Sequence, residues 1–428
     1  MDLFVHSGMF TRRRTLSLKS NPRRYLVEVF LQFGFGMMQH CRHLITEWSG
    51  GTVVLSPRDL SDKQLRSLSN EVTGVQDGEV LLDPQFYLPH SDHERLCSHA
   101  YWPSSYDTGT FFQGAAIRDL LQKLVTLNRD IGAREIVLPG LLASTVDDAW
   151  LEVQRSIAEG ARAVAGDKPL ISTIALDADT ARNADHISAI LEAAPRWGVE
   201  GYYIVCEHPK GDYLVKDPIW LANVLDLTAG LRLAGGKVIL GYCNHQMLSA
   251  GLVRATAICS GTWMNVRSFP PDKFRTSYDE EVRQRATWYY CPHALSEYKI
   301  PFLDIAMRQG VLQLMRPDPS IDGGYARHLF EGPQPSTVGF NEQQAFRHYL
   351  HSLHGQVSAL NEPTYDEARA VQDALLDRAE GLLRMLSTAG VRGQQRDFAE
   401  SIDVNRSAIS LIDSLRGPML RRHWTSLA

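Results

Sequence analysis

The residues best suited to chemistry fall where short apolar runs end. Asp83 and Gln85 follow the run 79–82, Asp177 and Asp179 follow 170–176, and Glu207 and His208 follow 201–206. Asn244, His245 and Gln246 follow 237–242, and the run 256–259 leads through Ser260, Gly261 and Thr262 to Arg267. If these runs are parallel strands of a barrel, their carboxyl ends open onto one face where the loops converge. A carboxylate there can attack a carbon or carry a proton, and two can divide the tasks. Asp83 and Glu207 each stand directly after a wholly apolar run, where an unpaired carboxylate costs free energy. They are the two residues nominated for catalysis. Gln85, Asp177, Asn244, His245, Gln246 and Arg267 complete a polar ring of candidate substrate contacts, with the Arg267 fork able to clamp a phosphate or pair with a carboxylate.

Most of these residues also have a local reading. Asp83 before Pro84 can be a turn residue that accepts nearby amides. Asp179 stands where it would cap a helix beginning at Thr180, with Asp177 supporting the same turn, and Asn244 where it would cap one beginning at His245. Cys291, His293, His348, His351 and His354 lack the tight paired spacing of a structural zinc site, so neither metal nor cofactor is expected. No GxGxxG, P-loop or GxSxG sequence occurs, which argues against the common dinucleotide, nucleoside triphosphate and serine-hydrolase mechanisms.

The elements that must position these groups alternate. β-branched runs at 52–55, 79–82, 135–138, 170–176, 201–206, 237–242 and 256–259 are separated by helical stretches. That is the signature of parallel strands joined by crossover helices. Seven such strands predict an α/β fold of the TIM-type (β/α)8 class, with 310–314 the best offer for the eighth. Ile117, Leu120, Leu121, Leu124 and Leu127 share one face of a helix at 113–131, and 180–197 and 218–234 carry similar stripes. After Pro317 a Gly- and Pro-rich loop leads to helices at about 341–360, 365–387 and 394–415. The expected organisation is an N-terminal extension at 1–50, a barrel at 51–316 and a C-terminal helical region at 317–428. The last helical stretch could imitate a helix-turn-helix reader, but its spacing equally suits amphipathic helices packing on the barrel.

Forty-four basic residues against 49 acidic ones give a net charge of -5, so no global positive field gathers nucleic acid. Any such contact must come from a local patch. One candidate is Arg12, Arg13, Arg14, Lys19, Arg23 and Arg24, which have no acid between them. It reads as a phosphate-contacting arm or as a solvated surface. No apolar run reaches the roughly 18 residues a membrane helix needs. Six scattered cysteines without a CxxC pair suit reduced, buried thiols in a cytoplasmic protein.

Taken in order, these segments resemble the tRNA-guanine transglycosylase family, including its relatives that insert 7-deazaguanines into DNA. The resemblance lies in Asp83, Gln85 and Phe86 after the second run, in 197–207 ending at Glu207, in 237–243, in 257–267 ending at Arg267, in 288–303, and in the helix around Phe346, Tyr349 and Leu350. It implies a barrel enzyme that exchanges a purine-type base in tRNA or DNA. Asp83 would be nucleophile or general base, Glu207 a base-contacting or acid-base group, and Arg267 with the basic arm would hold phosphates. The family's nucleophilic aspartate belongs where this chain has Ser260, Gly261 and Thr262. Two alternatives therefore stand beside the enzyme: a noncatalytic barrel subunit binding nucleic acid or a partner protein, a second copy included, and an unrelated barrel hydrolase or lyase.

Overall fold

A computed structural model describes residues 27–276 and 286–427. The chain forms a nearly closed parallel barrel ringed by helices. In chain order the strands are β1 (Glu28–Gln32), β2 (Gly51–Leu55), β3 (Gly78–Leu82), β4 (Ile136–Val137), β5 (Leu142–Ala143), β6 (Leu170–Leu176), β7 (Gly201–Cys206), β8 (Lys237–Leu240) and β9 (Ala257–Ser260). Hydrogen bonding runs in the order β3, β2, β1, β9, β8, β7, β6, β4. Between the two ends of that path, the Arg134 amide donates to the Val80 carbonyl at 3.3 Å, so β3 and β4 lie side by side.

The strand interiors are buried on both faces, which is why they read as continuous apolar runs rather than alternating ones. The strand after 135 is split. Pro139 has no amide to donate, and a Cβ on Gly140 would stand 2.6 Å from the Thr173 carbonyl. The chain leaves β4, then rejoins the sheet as β5 with Leu142 opposite Ala175.

The eighth barrel strand is β1, not the segment at 310–314. Strand β1 pairs with β2 on one side and β9 on the other, with Leu31 opposite Val53 and Ser260. The barrel thus takes in residues of the expected N-terminal extension. At 310 the chain ends a helix (Ile300–Arg308) with Gly310 at φ +72°, and Leu312–Met315 forms a single tight turn. A left-handed glycine closing a helix is a stop signal, not a strand start.

Amphipathic helices coat the barrel. The helix Ala115–Asp130 buries the expected stripe of Ile117, Leu120, Leu121, Leu124 and Leu127. The helix Pro218–Leu233 is buried on nearly every side because the last helix, Ala399–His423, lies on it, with Arg416 paired to Asp226 at 2.6 Å. Those terminal helices pack on the barrel. A hairpin of β10 (Trp288–Cys291) and β11 (Ser296–Lys299), together with the helix Glu342–Ala359, adds a further layer. Among the described residues no helix is long and apolar enough to cross a membrane.

Because Leu31 is fully buried while Leu314 is 45% exposed, the two strand assignments have opposite consequences. Leu31→Ala should cost about 2–5 kcal/mol and Leu314→Ala less than about 0.5. Urea midpoints of the two variants check this, and equal shifts would contradict the placement of β1.

Candidate functional site

Asp83 follows β3 directly and its carboxylate is wholly buried at the carboxyl end of the barrel. A buried carboxylate needs donors, and four reach it. The Gln85 amide donates to Oδ1 at 2.9 Å, and the Tyr87 hydroxyl lies 2.7 and 2.8 Å from the two oxygens. The Tyr242 hydroxyl donates to Oδ2 at 2.8 Å, and Tyr203 lies at 3.4 Å from the same oxygen. Burial pushes the Asp83 carboxyl above the usual range, while Tyr87, Tyr242, the Gln85 amide and the nearby Lys273 ammonium pull it back.

The donors come from distant elements, and the backbone bends to deliver them. Tyr203 rises from the middle of β7 and Tyr242 from just past β8. Gln85 (φ +55°) and Tyr242 (φ +56°) both hold the left-handed conformation, which costs a residue with a Cβ about 1–2 kcal/mol. Gly241 is required beside them, since a Cβ there would meet the Tyr203 hydroxyl at 2.4 Å. The Gln85 side chain extends the network: its Nε2 donates to Ser56 at 2.9 Å and Tyr242 at 3.2 Å, and its Oε1 accepts from the Arg58 amide at 2.9 Å. The Lys273 ammonium sits 4.0 Å from the centre of the Tyr242 ring.

Glu207 lies at the rim, partly exposed, four residues beyond Tyr203 on the same strand. At about 3.3 Å per residue that places it roughly 13 Å farther along β7. Its side chain accepts from the Ala178 amide at 3.4 Å, and the Trp220 indole holds its carbonyl at 3.0 Å. Burial raises its pKa, and Asp177, Asp272 and Asp179 raise it further. Asp83 and Glu207 therefore share the open end of the barrel without pairing: one deep among tyrosines, the other on an acidic rim.

The other nominated residues are held by the fold. Asp177, not Asp179, is the cap: it accepts from the Thr180 amide at 2.8 Å, and because the short helix Ala178–Arg182 begins two residues earlier than expected, Asp179 falls inside its first turn. Asn244 caps the turn His245–Val253 and donates to the Tyr213 carbonyl at 2.6 Å. Gln246 exchanges two bonds with the Val215 backbone, at 2.7 and 2.8 Å. His245 is buried among Tyr213, Tyr290, Tyr349 and Phe398, and burial holds its pKa down at about 4, so the ring is neutral.

Arg267 does not face an open surface. It is 2% exposed, donates from Nε to the Gly261 carbonyl at 2.8 Å, faces Glu297 at 3.3 Å and lies over the Tyr349 ring at 3.4 Å. Of its two sequence readings, pairing with a carboxylate is the one this position provides, although that carboxylate lies on the hairpin rather than on a barrel strand. Arg396 donates to the same Glu297 at 2.7 Å, and the Tyr213 hydroxyl donates to it at 2.8 Å. Burial alone would raise the Glu297 pKa, but Arg396 and Arg267 overcome it and hold the carboxyl at about 2. Cys291 is buried beside the Met315 carbonyl, His348 shares a bond with the Tyr290 carbonyl at 2.8 Å, and no metal-type cluster occurs among the described residues. The basic residues at 12–24 lie outside the described residues.

Sequence reasoning found Asp83 and Gln85 but missed Tyr87, Tyr203, Tyr242 and Lys273. A signal was present: tyrosine interrupts the aliphatic runs at 202–203 and at 242, and a buried tyrosine hydroxyl needs a partner.

A groove of 680 Å³ opens beside this network, between the segments that follow β1, β2, β3 and β9. Phe35, Arg58, Asp59, Glu94, Arg95 and Arg275 line it.

Glu297→Gln should cost about 3–5 kcal/mol near neutrality, because Arg267 and Arg396 keep their charges without a counter-ion. Since the folded-state pKa lies below the unfolded one, the stabilisation is complete above about 4.5 and is lost as pH falls toward about 2. Urea unfolding of both proteins across that range should show the deficit shrinking with acid, and a constant deficit would deny the charge its role.

No family model and no curated protein matches the chain. Among solved structures the chain is similar to deoxyribose phosphate aldolase from Aeropyrum pernix, at 11% identity and TM-score 0.32, covering 60% of this chain and 92% of that one. It is also similar to dihydrodipicolinate synthase from Acinetobacter baumannii, at 11% identity and TM-score 0.32, covering 86% and 99%. A third is 3-dehydroquinate dehydratase from Aquifex aeolicus, at 12% identity and TM-score 0.32, covering 59% and 100%.

Proposed function

We propose that the chain is a transglycosylase-type barrel enzyme that exchanges a purine-type base, of the guanine or 7-deazaguanine class, in nucleic acid. The observation that carries the reading is Asp83: a strand-end carboxylate, oriented by three tyrosine hydroxyls and an amide, on a backbone strained at Gln85 and Tyr242. Strain of this kind clusters where a side chain must be held for use.

In the first step an Asp83 oxygen bonds to the sugar C1′ as the bond from C1′ to the base nitrogen breaks, and the departing base takes a proton from Glu207. A raised pKa suits Glu207 to that task. In the second step the incoming base gives a proton to Glu207 and attacks C1′, and the Asp83 carboxylate leaves. Both steps require Tyr242 or Tyr87 to release an Asp83 oxygen, since each oxygen is occupied.

That occupancy also favours a second reading, the noncatalytic barrel subunit, in which the Asp83 network is purely a core device. The two separate on one experiment. With a guanine-containing RNA or DNA and no incoming base, the enzyme should accumulate a covalent sugar adduct at Asp83, seen as a mass shift. Asp83→Asn should abolish the adduct and leave nucleic-acid binding within about twofold, because phosphate contacts dominate affinity. Salt-dependent binding without any adduct would establish the noncatalytic subunit instead.

A further inference from the structure

We infer that the groove between the segments following β1, β2, β3 and β9 is the seat of a backbone phosphate of the nucleic acid, gripped by Arg95 and Arg275 beside the anchored Arg58. The inference rests on the nucleic-acid reading above and supplies what Arg267, buried against Glu297, does not.

Three observations support it. The first is charge. Three arginines arrive from three different loops against two acids, Asp59 and Glu94. Asp59 is already engaged, accepting from Arg58 at 3.0 Å and from Ser56 at 2.8 Å. His93, also on the wall, has its pKa lowered by burial and adds no lasting charge. Among the described lining residues three arginines stand against two acids, although the whole chain carries -5. Asp177, Asp179 and Glu207 follow β6 and β7, away from the groove, while Asp272 stands between them and Arg275.

The second observation is preorganisation. The Arg58 side chain is only 10% exposed, with Nε donating to the Lys273 carbonyl at 2.6 Å and one terminal nitrogen on Asp59. Arg95 is tied to the Asp59 carbonyl at 3.0 Å, and Arg275 stands 3.4 Å from the exposed Asp272. A guanidinium already fixed loses less freedom when it binds an anion, and its fork matches phosphate oxygens.

The third is position and size. The Arg58 amide bonds to the Gln85 side chain, and the Gln85 amide bonds to Asp83. The groove is therefore one residue removed from the carboxylate that would meet the sugar. Its 680 Å³ falls within the range of roughly 300–1,000 Å³ typical of small-molecule sites, which accommodates a nucleotide unit. Phe35, 58% exposed on the wall, offers a face on which a base can stack.

The test measures binding of the full chain to a labelled single-stranded oligonucleotide, as DNA and as RNA, over a series of salt concentrations. Arg95→Gln combined with Arg275→Gln removes two exposed cations without disturbing the core. The double variant should bind about tenfold or more weakly, and the slope of log affinity against log salt should fall by about 1.4, roughly 0.7 for each lost contact to a single strand. Arg384→Gln, on a helix of the C-terminal region and 77% exposed, should change neither quantity. Wild-type affinity and slope in the double variant would overturn the inference. So would a wild-type protein that binds inorganic phosphate calorimetrically but no oligonucleotide, since the groove would then serve a free phosphate. The adduct experiment fails independently: a normal salt slope with no adduct removes the transglycosylase chemistry and leaves the phosphate seat standing.

Discussion

A single buried carboxylate organises the open end of this barrel. Asp83 has no exposure, and leaving such a charge unpaired would cost several kcal/mol, so its surroundings are built from donors. Tyr87, Tyr203 and Tyr242 bring three hydroxyls from three parts of the chain. Each hydroxyl carries its own demands. Tyr203 needs Gly241 to be without a side chain, and its one hydroxyl proton is shared between Asp83 and Gln32 Oε1 on β1, the latter at 3.0 Å. The Asp83 network thus reaches from β3 through β7 and β8 to β1, tying the two halves of the barrel at the level where its chemistry would occur.

A second charge cluster holds the C-terminal region to that barrel. Glu297 on β11 meets Arg267 from the segment after β9 and Arg396 from just before the last helix. Such a buried cluster is weak evidence for net stability, because desolvating three ions offsets much of their attraction. Its stronger effect is on register. Arg267 also donates to the Gly261 carbonyl and covers Tyr349, so hairpin, barrel and the helix Glu342–Ala359 are satisfied together in one arrangement. Removing Glu297 leaves two arginines facing each other without a counter-ion, whereas removing either arginine leaves the other paired.

The strands after Gly51 were legible because a parallel strand covered on both faces must be apolar throughout, and seven such runs stand out between amphipathic helices. Strand β1 was not legible: its five residues, EVFLQ, lie in a longer apolar stretch with no turn residue directly before them. Asp83 was found because it breaks an apolar run, and the capping of Asn244 because capping is a local matter of two or three residues; after β6 the same rule pointed to Asp179, two residues past the true cap Asp177. What escaped was non-local. Tyr242 and Asp83 are 159 residues apart and Arg396 and Glu297 are 99 apart, and nothing in the spacing of either pair announces the contact. The groove escaped for the same reason, since its three arginines are ordinary surface residues until three loops converge.

The same bookkeeping of donors bears on the segment 260–262, where the chain has no carboxylate. Ser260 and Thr262 are buried, and a Cβ on Gly261 would meet the Gln32 carbonyl at 2.5 Å. A carboxylate here would need cationic or hydroxyl donors of its own. Arg267, Tyr213 and Arg396 are already directed to Glu297, which leaves the Tyr349 hydroxyl as the donor beside Ser260. Among the described residues the barrel mouth thus has its deep carboxylate at Asp83, with Glu207 on the acidic rim. With a single deep acid, no like charge at close range opposes its ionisation, and burial is the force its tyrosines must overcome.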